Sequence, residues 1–226
     1  MHRVPTSCLE QLTSQDLIFI QSALLNEPTT LESLSLFFED IETLVAAIES
    51  DQVFEAVVAT AYPLSISPQL YFFVLVRRAL TQSGIHELKI ADYVAATLAS
   101  HSTGHPISSL LPHRGDADFT YHVDFVEAMD GLSPYDRFFL QVQCGNSFLV
   151  MTGLFPRFLE HRAERRGAPS MLYYQEVARN AFRFAGDHPL ANEFDLGLIY
   201  PALADRFEET RQALNHMAED YLFLGA

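Results

Sequence analysis

Apolar residues recur at three- and four-residue spacing almost throughout this chain, and runs of β-branched alternation bounded by tight turns are absent. That period places one apolar stripe along each helix and none along a strand. The chain therefore reads as all-α with no sheet: a single compact multi-helix domain of roughly nine to ten helices. An N-terminal helical subdomain over 1–66, packed on a core at 67–226, is the alternative division. With 226 residues, 49% of them hydrophobic and 19% charged, the chain can bury a core of its own.

Start and stop signals divide it further. A first helix is expected from Ser14 to Leu25. A second is expected over 31–49 after Thr30 as N-cap, with Leu34, Phe37, Phe38, Ile41, Leu44, Val45 and Ile48 as its stripe. A third covers 52–61. Ser67-Pro68 opens a helix that Gly84 closes, and another runs over 86–99. Residues 100–117 break every period and read as the longest loop, after which Asp118 caps a helix to Asp130. Ser133-Pro134 opens a long helix through Leu154. Pro156 cannot continue it without losing a hydrogen bond, so a kink or a fresh start is expected there, ending at Gly167. Pro169 or Ser170 begins the next helix, and Pro189 begins a last region interrupted near Gly197 and Pro201.

Charge is distributed unevenly. The net formal charge is −15, yet Arg137, Arg157, Arg162, Arg165, Arg166, Arg179 and Arg183 face only Glu160, Glu164 and Glu176 between positions 137 and 183. An acidic bulk repels a polyanion, which argues against nucleic-acid binding. A basic island inside it suits an acidic protein partner or a small anion. Arg162, Arg165 and Arg166 crowd a helix end and are expected to form an open, partner-binding surface, whereas Arg179 and Arg183 are expected to pair internally.

Three stretches could carry chemistry. GNSFLVMTGLFP at 145–156 sets Asn146, Ser147 and Thr152 in a buried helix, as a polar notch for a ligand or as a tight helix crossing at Gly145 and Gly153. MLYYQEVARNAF at 171–182 aligns Tyr173 and Glu176 on one helical face beside Arg179; with Asn146, Ser147 and Arg157 these are the candidate ligand-binding residues, and Glu176 is a candidate acid or base. The segment 101–124 is rich in histidine and aspartate, but it has no HExxH and no paired Glu-x-x-His elements. No metal is expected there; if one binds, His101, His105, Asp118 and His122 are its candidate ligands. Arg77 and Arg78 lie on the most apolar helix and need acceptors such as Asp92, or serve as anion-binding arginines on the floor of a cleft. No GxSxG elbow, Walker A loop, Rossmann fingerprint or CxxC pair is present, and no cofactor is expected.

Cys8 and Cys144 lie far apart and read as reduced thiols. No uninterrupted run of apolar residues is long enough to span a membrane, and the N-terminal MHRVPTSCLEQ lacks an apolar h-region and a cleavage site, which together predict a bacterial-type cytoplasmic protein. LVRRAL at 75–80, ADYVAATL at 91–98, GNSFLVMTGLFP at 145–156 and YYQEVAR at 173–179 resemble a family of uncharacterised helical bacterial proteins of about this length. The resemblance implies a helical fold from about residue 68 onward, with no activity or catalytic residue attached. The expected function is that of a helical binding or interaction protein working through the kinked helix 134–166 and the arginine island. The alternative is a metal-dependent or acid/base enzyme using 101–124 or the Tyr173/Glu176 face.

Overall fold

The computed structural model describes residues 7–25, 40–59, 66–102, 122–166 and 168–222. Among these every regular element is helical. The contacts gather the chain into two compact units, Thr6–Thr103 and the residues from Gly104 onward. The division falls after Thr103 and not after residue 66, because the helices that follow residue 66 pack on one another and on the helices before them.

In the first unit a 3-10 turn, Leu9–Gln11, precedes α1 (Ser14–Leu25), α2 (Ile41–Ile48), α3 (Asp51–Ala59), α4 (Pro68–Gln82) and α5 (Leu88–Ser102). Ser67 caps α4 as its Ser-Pro start predicts, its Oγ accepting from the Leu70 amide at 3.1 Å. Gly84 closes the helix at φ +77°, a conformation that costs a Cβ-bearing residue. The α2 start differs from expectation. Asp40 caps it, accepting from the Thr43 amide at 2.7 Å, while Thr30 and the stripe positions 34, 37 and 38 lie outside the described residues. Helix α5 also runs past its expected end. Ser100 and Ser102 hydroxyls donate to the Ala96 and Ala99 carbonyls, both at 2.8 Å, so polar side chains that suggest a loop instead satisfy the last turn.

Two carboxylates, one buried and one half-buried, tie this unit together. Asp16 is fully buried and accepts from the Thr13 amide at 2.8 Å and from the Ser67 amide at 2.7 Å, joining the start of α1 to the start of α4. Asp92 on α5 accepts from the Cys8 and Leu9 amides at 2.8 and 3.2 Å. It is therefore not the partner of Arg77 or Arg78. Arg77 pairs with Glu49 at 2.5 Å and donates to the His86 carbonyl at 2.7 Å, and Arg78 pairs with Asp51. Burial pushes the Asp92 carboxyl upward against the lowering effect of these amides.

The second unit holds α6 (His122–Met129), α7 (Pro134–Leu154), α8 (Pro156–Arg166), α9 (Met171–Gly186), α10 (Pro189–Glu193), α11 (Ile199–Asp205) and α12 (Phe207–Met217), ending in a π-helical turn, Ala218–Leu222. Helix α7 is its axis, with α6, α8, α9 and α12 against it. Ser133 and Ser170 cap α7 and α9 as their positions predict, whereas the Asp118 start lies outside the described residues. An aromatic cluster fills the core: Phe148 lies 5.1 Å from Tyr174, and Phe182 stacks on Tyr200 at 5.9 Å. No single helix among the described residues is long and apolar enough to cross a membrane; α7 and α8 meet that test only as a pair, and they are bent by 92°.

Candidate functional site

The bend between α7 and α8 follows from one residue. An α-helical carbonyl accepts from the amide four residues on, and for Thr152 that amide would belong to Pro156, which has none. Helix α7 stops at Leu154, Phe155 leaves the helical region, and α8 starts at Pro156. The Asn215 side-chain amide on α12 takes over the orphaned acceptors, donating to the Thr152 carbonyl at 3.0 Å and to that of Gly153. Its orientation is held in turn: Arg211 donates to Asn215 Oδ1 at 2.5 Å and pairs with Glu208 at 2.8 Å. The bond to Arg211 draws the Glu208 carboxyl below its ordinary range. Pro156 signals in sequence that a carbonyl will need a donor. Which distant amide supplies it is a tertiary fact.

The glycines of the 145–156 stretch serve tight helix crossings. A Cβ on Gly145 would lie 2.8 Å from the Phe182 ring, and one on Gly153 would lie 3.0 Å from Leu214. Thr152 donates back to the Phe148 carbonyl at 2.6 Å, within its own helix. Asn146 and Ser147 are buried in the same core. Arg157, Tyr173 and Glu176, by contrast, are exposed, so the candidate ligand residues do not form one constellation. Glu176 pairs with Arg179 at 2.9 Å, and Arg179 also donates to the Ala204 carbonyl on α11 at 3.2 Å. Arg183 lies 3.8 Å from Asp205. Arg179 and Arg183 are thus paired within their unit, as expected, and the Tyr173/Glu176 face is a helix-surface network.

The three arginines expected on an open surface separate. Arg162 is only 8% exposed, which corrects its assignment to that surface. Its guanidinium lies over the Phe158 ring, 5.1 Å from the centroid, and its charge acts on the Tyr174 hydroxyl. Phe158 one turn earlier is the local signal for this, since i and i+4 share a helix face. Arg165 is exposed, as is Arg157, and neither has an ion-pair partner among the described residues. The side chain of Arg166 lies outside the described residues.

What emerges is a surface that composition alone does not reveal. Phe155 at the bend and Phe158 on α8 are 41% and 50% exposed, and Leu172 and Tyr173 on the first turn of α9 are 64% and 42% exposed. Helix α8 packs on α9. On α8 the Arg162 guanidinium covers the Phe158 ring, and on α9 the Tyr174 ring meets that of Tyr173 edge-on at 5.7 Å. Arg162 is thus buried on a helix that also carries exposed Phe158, Arg157 and Arg165 and packs on α9.

Both thiols are buried, and burial pushes Cys144 up to about 12 and Cys8 higher still, the reverse of what a reactive cysteine needs. No group of three or more metal-ligating side chains occurs among the described residues. His105 and Asp118 lie outside them, as does the His122 side chain. His101 is bonded through Nδ1 to the Thr97 carbonyl at 2.8 Å. Burial lowers its pKa below the ordinary 6.5, against the raising effect of that bond. A folded-state value depressed in this way contributes stability that is present above 6.5 and is lost as pH falls toward the lowered value. Acidification from pH 7 to 5.5 is accordingly expected to destabilise the protein, by at most about 1.4 kcal/mol per pH unit from this residue. Melting curves across that window test it: His101→Gln should flatten the dependence, and an unchanged slope would contradict the assignment.

No family model, no curated protein and no solved structure matches this chain.

Proposed function

We propose that this is a helical interaction protein whose recognition surface lies on α8 and the first turn of α9. The observation that supports it is the exposure of Phe155, Phe158, Leu172 and Tyr173 beside Arg157 and Arg165. Aromatic side chains and arginine are enriched in interface cores, where they supply large contact areas and directional donors. Arg157 and Arg165, which have no ion-pair partner among the described residues, favour an acidic partner, in a chain of net charge −15. A short acidic segment carrying apolar anchors fits both features: its side chains cover the Phe158 and Leu172 region and its carboxylates meet Arg157 and Arg165.

Selection from a random peptide display library on the full chain tests this. Peptides rich in acids and large apolar residues are expected, binding at least about tenfold more weakly to a Leu172→Ser/Arg165→Glu variant, as loss of an interface anchor implies. Melting temperature should change little, because exposed substitutions seldom cost much stability. Enrichment that is the same on the variant would remove the proposal.

A further inference from the structure

A second site lies in the other unit. A cleft of about 140 Å³ opens between α2, α3 and α4, with Ile48 and Val74 forming an apolar wall and Arg77 and Arg78 a cationic one. From its shape and chemistry we infer that it binds a small organic carboxylate with a short apolar tail. The volume is close to the roughly 150 Å³ that accommodates a six-carbon ring in a protein interior. A six-heavy-atom acid is of that size.

The two arginines are held differently, and that difference makes the site usable. The Arg77 side chain is 14% exposed and fixed at two points, by Glu49 through Nε and by the His86 carbonyl through Nη1. Its Nη2 has no partner among the described residues, so a rigid, largely desolvated donor pair remains free at the cleft. Arg78 lies over the Phe54 ring, 4.4 Å from the centroid, which sets the plane of its guanidinium. Its one carboxylate partner among the described residues, Asp51, is 78% exposed. An ion pair with so exposed a partner contributes little, so Asp51 can yield its place to an incoming carboxylate at small cost. With Asp51 turned to solvent, Arg77, Arg78 and Glu49 leave the cleft with a net charge of +1. That suits a monoanion, and guanidinium forks match carboxylate geometry. Ile48 and Val74 supply the apolar part of the lining that a short hydrocarbon tail would meet, and Thr81 is exposed.

Titration of the full chain with isobutyrate, and with isobutyramide as its neutral counterpart, tests the inference. Calorimetry should be paired with NMR of the arginine Nε–H signals. Isobutyrate is expected to bind saturably and to shift the Arg77 and Arg78 signals, while isobutyramide does not. Asp51→Asn removes the competing carboxylate and should tighten isobutyrate by roughly two- to fivefold, the range an exposed ion pair spans. Arg78→Gln should weaken it by about tenfold, as loss of a charge-assisted bond implies. A variant that tightens binding cannot be explained by damage to the fold. Absence of saturation, equal binding of the amide, or affinity unchanged by Asp51→Asn would each overturn the inference.

Discussion

Gly145→Leu is expected to be among the most destabilising single substitutions in the chain. In an exposed helix, replacing glycine by a better helix former stabilises by about 1 kcal/mol. Here the first added carbon already meets Phe182 Cε1 at 2.8 Å and Cδ1 at 2.9 Å. Phe182 has little room to retreat, because it is fully buried, with Tyr200 stacked on it at 5.9 Å and the Phe207 ring 6.4 Å away. Overpacking of this kind costs about 1–3 kcal/mol, and the upper end applies where a ring blocks relaxation. For a chain of this size each kcal/mol lowers the melting temperature by about 2–4 °C. Gly153→Leu should cost less, since the first added carbon meets Leu214 Cβ and Cδ1 at 3.0 Å, a looser fit than the 2.8 and 2.9 Å contacts at Gly145. Even Gly145→Ala should destabilise. A rise in its melting temperature would show that the α7–α9 crossing is looser than the geometry indicates.

The second large effect concerns the bend. Asn215→Ala leaves the Thr152 and Gly153 carbonyls without their donor, and unsatisfied buried acceptors cost about 1–3 kcal/mol. The partner substitution is Pro156→Ala, which supplies the amide that the Thr152 carbonyl lacks. In that background the loss of Asn215 should matter less, so the double variant should be more stable than the sum of the single costs by about 1 kcal/mol. Chemical denaturation of the four proteins measures this coupling. Strict additivity would show that Asn215 does not act on the carbonyls that proline frees.

Much of this architecture is legible from local chemistry. Ser67 and Ser133, each followed by proline, start their helices where the pairing places them, because a side-chain cap and a residue without an amide both suit a helix N-terminus. Pro156 announces the bend for the same local reason. Features set by distant residues are not legible in this way. Nothing near Arg77 in sequence distinguishes Glu49 from Asp92 as its partner, since both are acids on separate helices. Arg162 illustrates the other limit. Cations near a helix C-terminus suit the dipole and are usually exposed, but this one is buried, with its guanidinium over the Phe158 ring. Charge in the sequence points to Arg162, Arg165 and Arg166, whereas the structure adds the exposure of Phe155, Phe158, Leu172 and Tyr173, on which the proposed recognition surface rests.

Hydrogen exchange of the full chain, with and without a peptide obtained by selection on it, tests the proposed recognition surface most directly. Slowed exchange on peptide binding is expected in α8 and in the first turn of α9, spanning Phe158, Arg165, Leu172 and Tyr173, with α4 and α5 unchanged. Protection that falls on α4 and α5, or that spares α8, would contradict the account.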